Sequence, residues 1–342
     1  MSDSVLDPLR ARANRFWYLW KRSNWLVDPR AALAHFRRVE IDRPIFLVGN
    51  QGDGLTLISR MLRRHPQVVS LSGNHRYWSG ADEMHRAFLG RLPASLVSGG
   101  RWLGKPPHHD IFTPPRSWSY GSNELIDKYR LTETDFDQRT ANRLQRVLRE
   151  SLFRHGKPTG GRFLDKSQTY TVKISYINAL LRDANPHFVL VTRNPYASIY
   201  RNATGSAGDM RRYSSTLDLD TRFELCLQHW LNSMRCVEED KGKVSFTTLR
   251  FEDVLVEPER CLRTLCDFLD LPFVNTLVPA PGDTLPFGSR FSDRWYPLRP
   301  NVNDRYLSQL PERFERQITE RAGKLAAAYG YHPSSGKLRP TS

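Results

Sequence analysis

Residues 44–66, PIFLVGNQGDGLTLISRMLRRHP, carry the pattern that decides the fold. They begin with a continuous apolar run at 44–48, which is typical of a short strand buried on both faces. A glycine-rich loop follows, and beyond it apolar residues recur at helical spacing until Pro66. Residues 67–72, QVVSLS, form a second predicted strand. This succession of strand, loop, helix and strand predicts a parallel sheet with right-handed crossovers.

The rest of the chain supplies further elements of the same type. Strands are predicted at 187–192 (HFVLVT) and 244–250 (VSFTTLR), and a helix with proline in its first turn at 258–269. The segment from about 79 to 160 contains no convincing strand, and a basic helix is predicted within it at about 135–153. We interpret that segment as a helical and loop insertion over the sheet. The expected fold class is α/β, with a three-layer parallel sheet flanked by helices.

The 342 residues are expected to form one large domain with a segment at either end. Residues 1–40 are predicted as a basic, aromatic helical arm, 41–330 as the α/β domain, and 331–342 as a flexible tail. The aromatic and basic residues at 16–26 favour packing of the arm onto the domain, and they leave open a peripheral contact with a membrane. Because neither a bilayer-spanning apolar run nor a signal-peptide pattern is found, a cytoplasmic location is expected.

The formal net charge of +15 favours an anionic partner. Phosphates, sulfates, nucleic acids and anionic membrane surfaces all satisfy that condition. No recognised nucleic-acid-binding motif accompanies the charge, so we expect no nucleic-acid partner. The four cysteines lack a zinc-binding spacing and are expected to be buried thiols. The run His108-His109-Asp110 has no further ligand cluster beside it, so no metal site is predicted.

The loop after the first strand has the frame of a phosphate-binding P-loop, with Leu55 where lysine would stand. Its glycines allow successive backbone N–H groups to point into one concavity, and the following helix adds its positive N-terminus. Without the lysine, hydrolysis of a nucleoside triphosphate is disfavoured. A turn with a purely structural role is the alternative interpretation of this loop. The residues expected to bind an anion are Gly49, Asn50, Gln51, Gly52, Asp53, Gly54, Leu55 and Thr56.

Four segments resemble the sulfotransferase family in the order in which the family has them. Residues 44–66 resemble the family's first nucleotide-binding segment, which reads PIFIVG, then PRSGTT, then a helix ending in HP. Residues 163–167 (FLDKS) resemble the family's E-K-[ST]-P element. Residues 188–195 (FVLVTRNP) resemble the strand and turn that bind the 3′-phosphate of the nucleotide. Arg193, which ends this strand before a proline turn, is therefore the leading candidate for binding the 3′-phosphate. Residues 249–269 resemble the family's R-Y/F-E-D-L…P…FL block. The resemblance covers roughly 44–330 and implies a P-loop-like sulfotransferase architecture. It also implies transfer of a sulfonate group from 3′-phosphoadenosine 5′-phosphosulfate (PAPS) to a hydroxyl or amine of a glycan, lipid or small metabolite.

The sequence departs from this family pattern within the nucleotide site. Where Gly52 stands, the family has an arginine or lysine that contacts the transferring sulfonate, and where Asp53 stands it has serine. Asp53 would repel an anion unless it caps the following helix. The family's serine eight residues after Arg193 is replaced by Arg201, so either Ser198 substitutes for it or Arg201 binds the 3′-phosphate directly. These departures leave an alternative function, a sulfotransferase-fold protein that binds an anion or nucleotide without ordinary catalysis.

The candidate catalytic residues follow from these departures and from the predicted strand ends. Because Gly52 is neutral, Lys166 is the leading candidate for the cation near the sulfonate. His75 follows the second strand and is the candidate general base, since the proton affinity of imidazole lies near working pH. Glu83 is the second candidate for the base. Arg290 lies where the family closes a loop over the nucleotide and is a further candidate for the 3′-phosphate.

Overall fold

The computed structural model describes residues 39–70, 120–155, 161–205, 210, 216–281 and 298–333. The aromatic segment 16–26, the run His108-His109-Asp110 and most of the predicted tail lie outside these residues. Within the described part of the chain, no helix combines the length and the apolar character needed to cross a membrane.

In the described part of the chain, five parallel strands form one sheet in the order β2-β3-β1-β4-β5. Their bounds are β1 Ile45–Val48, β2 Val68–Ser70, β3 Arg162–Asp165, β4 His187–Thr192 and β5 Ser245–Arg250. The central strand β1 is fully buried, as its continuous apolar run predicted. Val48 at its end pairs with Leu190 of β4, so the two strands end near the same edge of the sheet.

Helices account for most of the remaining described residues. Their bounds are α1 Leu55–Leu62, α2 Ile126–Tyr129, α3 Gln138–His155, α4 Ile174–Leu180, α5 Pro195–Ala203, α6 Leu219–Asp240, α7 Phe251–Val256, α8 Pro258–Phe268, α9 Asp304–Gln309 and α10 Glu312–Ala328. Short 3-10 turns lie at Glu133–Asp135, Gln168–Val172, Arg182–Ala184, Lys241–Lys243 and Asn275–Leu277.

Alternate residues of the central strand face two separate apolar cores. Phe46 and Val48 pack on the side formed by α3, α4, α5, α6 and α10. Ile45 and Leu47 pack on the opposite side, against α1, α7 and α8. The predicted three-layer α/β architecture is therefore confirmed. Because α3 packs on β2 and β3, the described part of the predicted insertion contributes a helix to one of these layers.

Strand β3 is the one strand of this sheet that the sequence patterns did not indicate among the described residues. Its four residues, RFLD, carry a charge at each end, which is unusual for a strand buried on both faces. The guanidinium of Arg162 donates to the carbonyl oxygens of Arg43 and Leu269, each at 2.7 Å. Asp165 accepts a hydrogen bond from the backbone N–H of Ser167 at 2.8 Å. These hydrogen bonds compensate for the loss of hydration when the two charged side chains are buried. The partners of Arg162 are distant in the sequence, so they cannot be inferred from the segment alone.

His229 in α6 gives the stability of the fold a predictable pH dependence. Its ring is buried, and its Nδ1 accepts a hydrogen bond from the backbone N–H of Gly121 at 3.1 Å. Burial lowers the pKa of His229 from its ordinary value of 6.5 to about 3. Between these pH values the unfolded chain binds a proton that the folded chain does not, so the free energy of unfolding decreases as the pH falls.

The variant His229→Asn keeps an acceptor near the position of Nδ1 and removes the titrating group. We expect its free energy of unfolding to depend less steeply on pH between about pH 6 and pH 4, by up to about 1.4 kcal/mol per pH unit. Urea denaturation at a series of pH values measures these slopes. His332 is exposed, so His332→Asn is the matched control and should keep the wild-type slope. An unchanged slope in His229→Asn would contradict the prediction.

Candidate nucleotide-binding site

Three predicted site segments meet at one edge of the sheet. Strands β2 and β3 lie on one side of β1 in the sheet, and β4 and β5 lie on its other side. The strand order therefore reverses at β1, which is a topological switch point. In open α/β sheets, ligands bind at the carboxyl ends of the strands beside such a point. Gly49 follows β1, Lys166 follows β3 and Arg193 follows β4. Segments that are far apart in the sequence are thereby brought to the same edge.

The loop at 49–54 is fixed by contacts from both sides. The hydroxyl of Thr171 accepts a hydrogen bond from Gly49 N–H at 2.8 Å and donates to the carbonyl of Gly49 at 3.1 Å. Gly54 has a φ of +98°, and a Cβ there would lie 2.1 Å from a ring carbon of Phe251. Only glycine satisfies both the conformation and the space. Helix α1 starts directly after it, so the unpaired N–H groups of the first helical turn lie at the loop.

Asp53 turns into the loop rather than toward the helix. Its Oδ2 accepts a hydrogen bond from Asn50 N–H at 3.2 Å, and the N-cap residue of α1 is Gly54, without a side-chain cap. Capping of α1, the condition under which Asp53 would point away from a bound anion, is therefore not met. Burial raises the pKa of Asp53 well above its usual range, although Arg193 and Arg201 act in the opposite direction. Burial thus favours the neutral carboxyl, which weakens its repulsion of an anion bound at the loop.

Arg193 joins the loop to a segment more than a hundred residues away. Its Nη1 donates to the carbonyl of Gly52 at 3.0 Å, its Nε to Oδ1 of Asn303 at 2.8 Å, and its Nη2 to the carbonyl of Val302 at 3.3 Å. The guanidinium also lies over the ring of Phe251, 5.4 Å from its centroid. Three of its five N–H groups therefore hold the site together, and the other two are the donors that can bind a phosphate.

Glu252 fixes the turn after β4 and was not a predicted site residue. Its Oε1 accepts hydrogen bonds from Asn194 N–H at 2.9 Å and from Nδ2 of Asn303 at 2.5 Å. Its Oε2 accepts from the hydroxyl of Tyr331 at 2.9 Å. Asn303 and Tyr331 belong to no recognisable motif, so their part in this network follows from the fold alone. Together these contacts orient the residues on either side of Arg193.

The last turn of α5 lies against the loop. Nδ2 of Asn202 donates to the carbonyl of Gln51 at 2.8 Å. Nη1 of Arg201 lies 2.7 Å from the position that a Cβ on Gly52 would occupy. Ser198, the other candidate on this helix, is buried one turn earlier. The structure therefore brings Arg201 to the loop, at the position where the family pattern has its own cation.

Several buried polar atoms around the loop have no hydrogen-bond partner within the described part of the chain. They are Nδ2 and Oδ1 of Asn50, Oδ1 of Asp53, Nη1 of Arg201 and Oδ1 of Asn202. Leaving a buried donor or acceptor unsatisfied costs about 1–3 kcal/mol, so such atoms rarely gather without a reason. A polar ligand explains the cluster: its two nitrogen donors suit an anionic group, and its three oxygens suit hydroxyl or amino groups of the same ligand.

The remaining candidates are placed as follows. Lys166 is half-buried and directly follows β3, in the turn that the Asp165 carboxylate fixes. Thr56 is half-buried in the first turn of α1. The predicted bases His75 and Glu83, together with Arg290, lie outside the described residues. Their positions relative to the loop therefore stay predictions.

Comparison with known proteins agrees with the fold. Residues 44–275 match the model of the Sulfotransferase family. The chain therefore belongs to the sulfotransferase family.

Among its relatives, protein-tyrosine sulfotransferase 2 of Gallus gallus is 23% identical over 305 residues, which cover 80% of this chain and 77% of that protein. Protein-tyrosine sulfotransferase 1 of Danio rerio is 25% identical over 248 residues, which cover 65% of this chain and 62% of that protein. The crystal structure of sulfotransferase STF1 from Mycobacterium tuberculosis H37Rv superimposes with a TM-score of 0.52 at 14% identity, covering 78% of each chain. This last similarity shows the shared fold.

Proposed function

We propose that the protein transfers a sulfonate group from PAPS to a hydroxyl group of an acceptor. The observation that carries this proposal is the meeting of the glycine loop, the start of α1, Arg193 and Arg201 at the switch point of the sheet. The donor bears a phosphosulfate and a separate 3′-phosphate, so a site for it needs anion-binding groups in two places. The loop with the helix N-terminus supplies one of them, and the spare donors of Arg193 supply the other.

The proposed reaction places specific demands on the chain. The acceptor oxygen attacks sulfur in line, and the bond from sulfur to the bridging oxygen breaks. The electron pair of that bond stays on the bridging oxygen, which becomes an oxygen of the nucleotide's 5′-phosphate. Fixed N–H donors and cations at the loop stabilise the charge that develops on that oxygen. Lys166 is the proposed further cation, because its strand neighbours β1 at the same edge. Arg290 is proposed to contact the 3′-phosphate.

The acceptor proton requires a base, for which we propose His75. It follows β2, whose carboxyl end lies at the edge of the sheet that carries the loop. Glu83 is the second candidate. The relatives named as protein-tyrosine sulfotransferases make a phenolic hydroxyl the first acceptor to test, before glycan, lipid and small-metabolite hydroxyls.

A transfer assay with sulfur-labelled PAPS tests this function. Purified protein is incubated with the donor and, in separate reactions, a tyrosine-containing peptide, a simple phenol, an oligosaccharide and a hydroxylated lipid. We expect label in one acceptor class, with an equal amount of 3′-phosphoadenosine 5′-phosphate (PAP) released. Tight PAP binding without transfer to any acceptor or to water would instead support the alternative, a nucleotide-binding protein without catalysis.

Replacing the proposed base separates chemistry from binding. In His75→Ala we expect transfer to fall by about 10²- to 10⁴-fold, the usual contribution of a general base, with PAP affinity unchanged. Glu83→Gln is the matched test of the second candidate. If His75→Ala retains full transfer while Glu83→Gln loses it, the base is Glu83 and not His75.

A further inference from the structure

The space above Gly52 is filled by a side chain from another element. A Cβ built on Gly52 would lie 2.7 Å from Nη1 of Arg201 and 3.0 Å from Oδ1 of Asn202. A contact of 2.7 Å is closer than real Cβ atoms show, so a side chain at 52 and Arg201 in its present place exclude one another. Gly52 also has a φ of +90°, which side-chain-bearing residues rarely adopt. The family pattern has a cation at this loop position, and here a cation reaches it from α5.

The end of the helix that carries Arg201 is held against the loop by the next residue. The hydrogen bond of 2.8 Å from Asn202 to the carbonyl of Gln51 ties the last turn of α5 to the loop. Arg201 occupies the position of the family's serine, eight residues after Arg193. Relative to the family pattern, the cation is thus absent from the loop and present on the helix that packs against it.

Two side chains at the loop have buried polar atoms that a ligand could satisfy. Nη1 of Arg201 is buried and has no hydrogen-bond partner among the described residues. Asn50, only 2% exposed, has both its amide nitrogen and its amide oxygen unpartnered in the same loop. By contrast, Arg193 uses three N–H groups on protein oxygens. Among the described residues, Arg193 thus uses one donor on the loop carbonyl of Gly52, whereas no protein oxygen accepts from Nη1 of Arg201.

We propose that Arg201 supplies the cation that the loop lacks and binds the sulfonate end of the donor rather than its 3′-phosphate. This inference rests on the proposed function. A guanidinium at this position donates to the sulfonate and bridging oxygens, and it stabilises the negative charge left on the bridging oxygen when the sulfur–oxygen bond breaks. Arg193, at the end of β4, then serves the 3′-phosphate.

Binding of three nucleotides to the variant Arg201→Ser shows whether Arg201 contacts the sulfonate end of the donor or its 3′-phosphate. PAPS carries both anionic ends, PAP lacks the sulfonate, and adenosine 5′-phosphosulfate lacks the 3′-phosphate. Calorimetric titration should show affinity for PAPS and for adenosine 5′-phosphosulfate reduced by about 10- to 100-fold, the effect of losing a charged hydrogen bond, with PAP much less affected. Loss of affinity for PAPS and PAP with unchanged adenosine 5′-phosphosulfate would overturn the proposal and assign Arg201 to the 3′-phosphate.

Matched variants complete the test. Arg316 is exposed on α10, so Arg316→Ser removes the same charge and should leave all three affinities unchanged. Arg201→Lys keeps the positive charge on α5 and should bind PAPS better than Arg201→Ser, but less well than the wild type. Gly52→Arg would place a Cβ 2.7 Å from Nη1 of Arg201 at a φ of +90°, and it should bind PAPS less well than the wild type.

The failures of the two proposals are distinguishable. If the folded wild type binds none of the three nucleotides, the proposed function fails. If the wild type binds PAPS and Arg201→Ser binds all three nucleotides as the wild type does, only the role of Arg201 fails. Circular dichroism and thermal melting verify that each variant is folded.

Discussion

Arg193→Ala is expected to weaken the binding of PAP by at least about 100-fold. The change removes a positive charge from the end of β4 and three hydrogen bonds, to Gly52, Asn303 and Val302. Hydrogen bonds to charged groups contribute about 1.5–3 kcal/mol each. Arg193→Ala removes both these hydrogen bonds within the protein and the donors to the phosphate, so the loss of PAP affinity is expected to be large. Calorimetric titration with PAP measures it, and thermal melting shows whether the sheet is retained.

Arg193→Lys is the matched variant for this prediction. Lysine keeps the charge but cannot donate to three differently placed oxygens from a planar group. We expect it to bind PAP better than Arg193→Ala and clearly less well than the wild type. A folded Arg193→Ala protein with wild-type PAP affinity would defeat the proposed 3′-phosphate site.

Gly54→Ala is expected to abolish nucleotide binding and to lower the free energy of unfolding by about 2–5 kcal/mol. The new Cβ would lie 2.1 Å from the ring of Phe251, and the residue has a φ of +98°. Overpacking costs about 1–3 kcal/mol, and an alanine at positive φ adds about 1–2 kcal/mol. Because Gly54 is also the N-cap of α1, any relief of the clash moves the loop and the helix start.

Gly242 is the control for this substitution, since a Cβ there would meet nothing within 4 Å. Gly242→Ala should change the free energy of unfolding by no more than about 0.5 kcal/mol and leave PAP affinity unaltered. Urea denaturation and calorimetric titration of both variants make the comparison. If Gly54→Ala kept the wild-type stability and PAP affinity, a Cβ at this position would be tolerated and the prediction would be wrong.

The sequence predicted the elements whose signals are local. The apolar runs of β1 and β4 mark strands buried on both faces, and the glycine loop with its following helix is recognisable from spacing. Arg193 was predicted because it ends such a strand before a proline turn. These features depend on residues that are neighbours in the chain.

The features that sequence analysis missed depend on distant partners. Strand β3 carries buried charges whose partners, the carbonyls of Arg43 and Leu269, lie far along the chain. The approach of Arg201 to Gly52 depends on how α5 packs against a loop about 150 residues earlier, which spacing alone does not indicate. Asp53 satisfies the local pattern of a helix cap, but its burial within the loop gives it a different partner.

Calorimetric titration of the wild-type protein with PAP, using AMP and ATP as controls, tests the central claim most directly. The arrangement of the loop and Arg193 predicts tight binding of PAP that depends on the 3′-phosphate, with AMP at least about tenfold weaker, the difference that about 1.4 kcal/mol makes. ATP should bind no better than AMP, because it also lacks the 3′-phosphate. Absence of PAP binding by folded protein, or equal binding of PAP and AMP, would contradict the account.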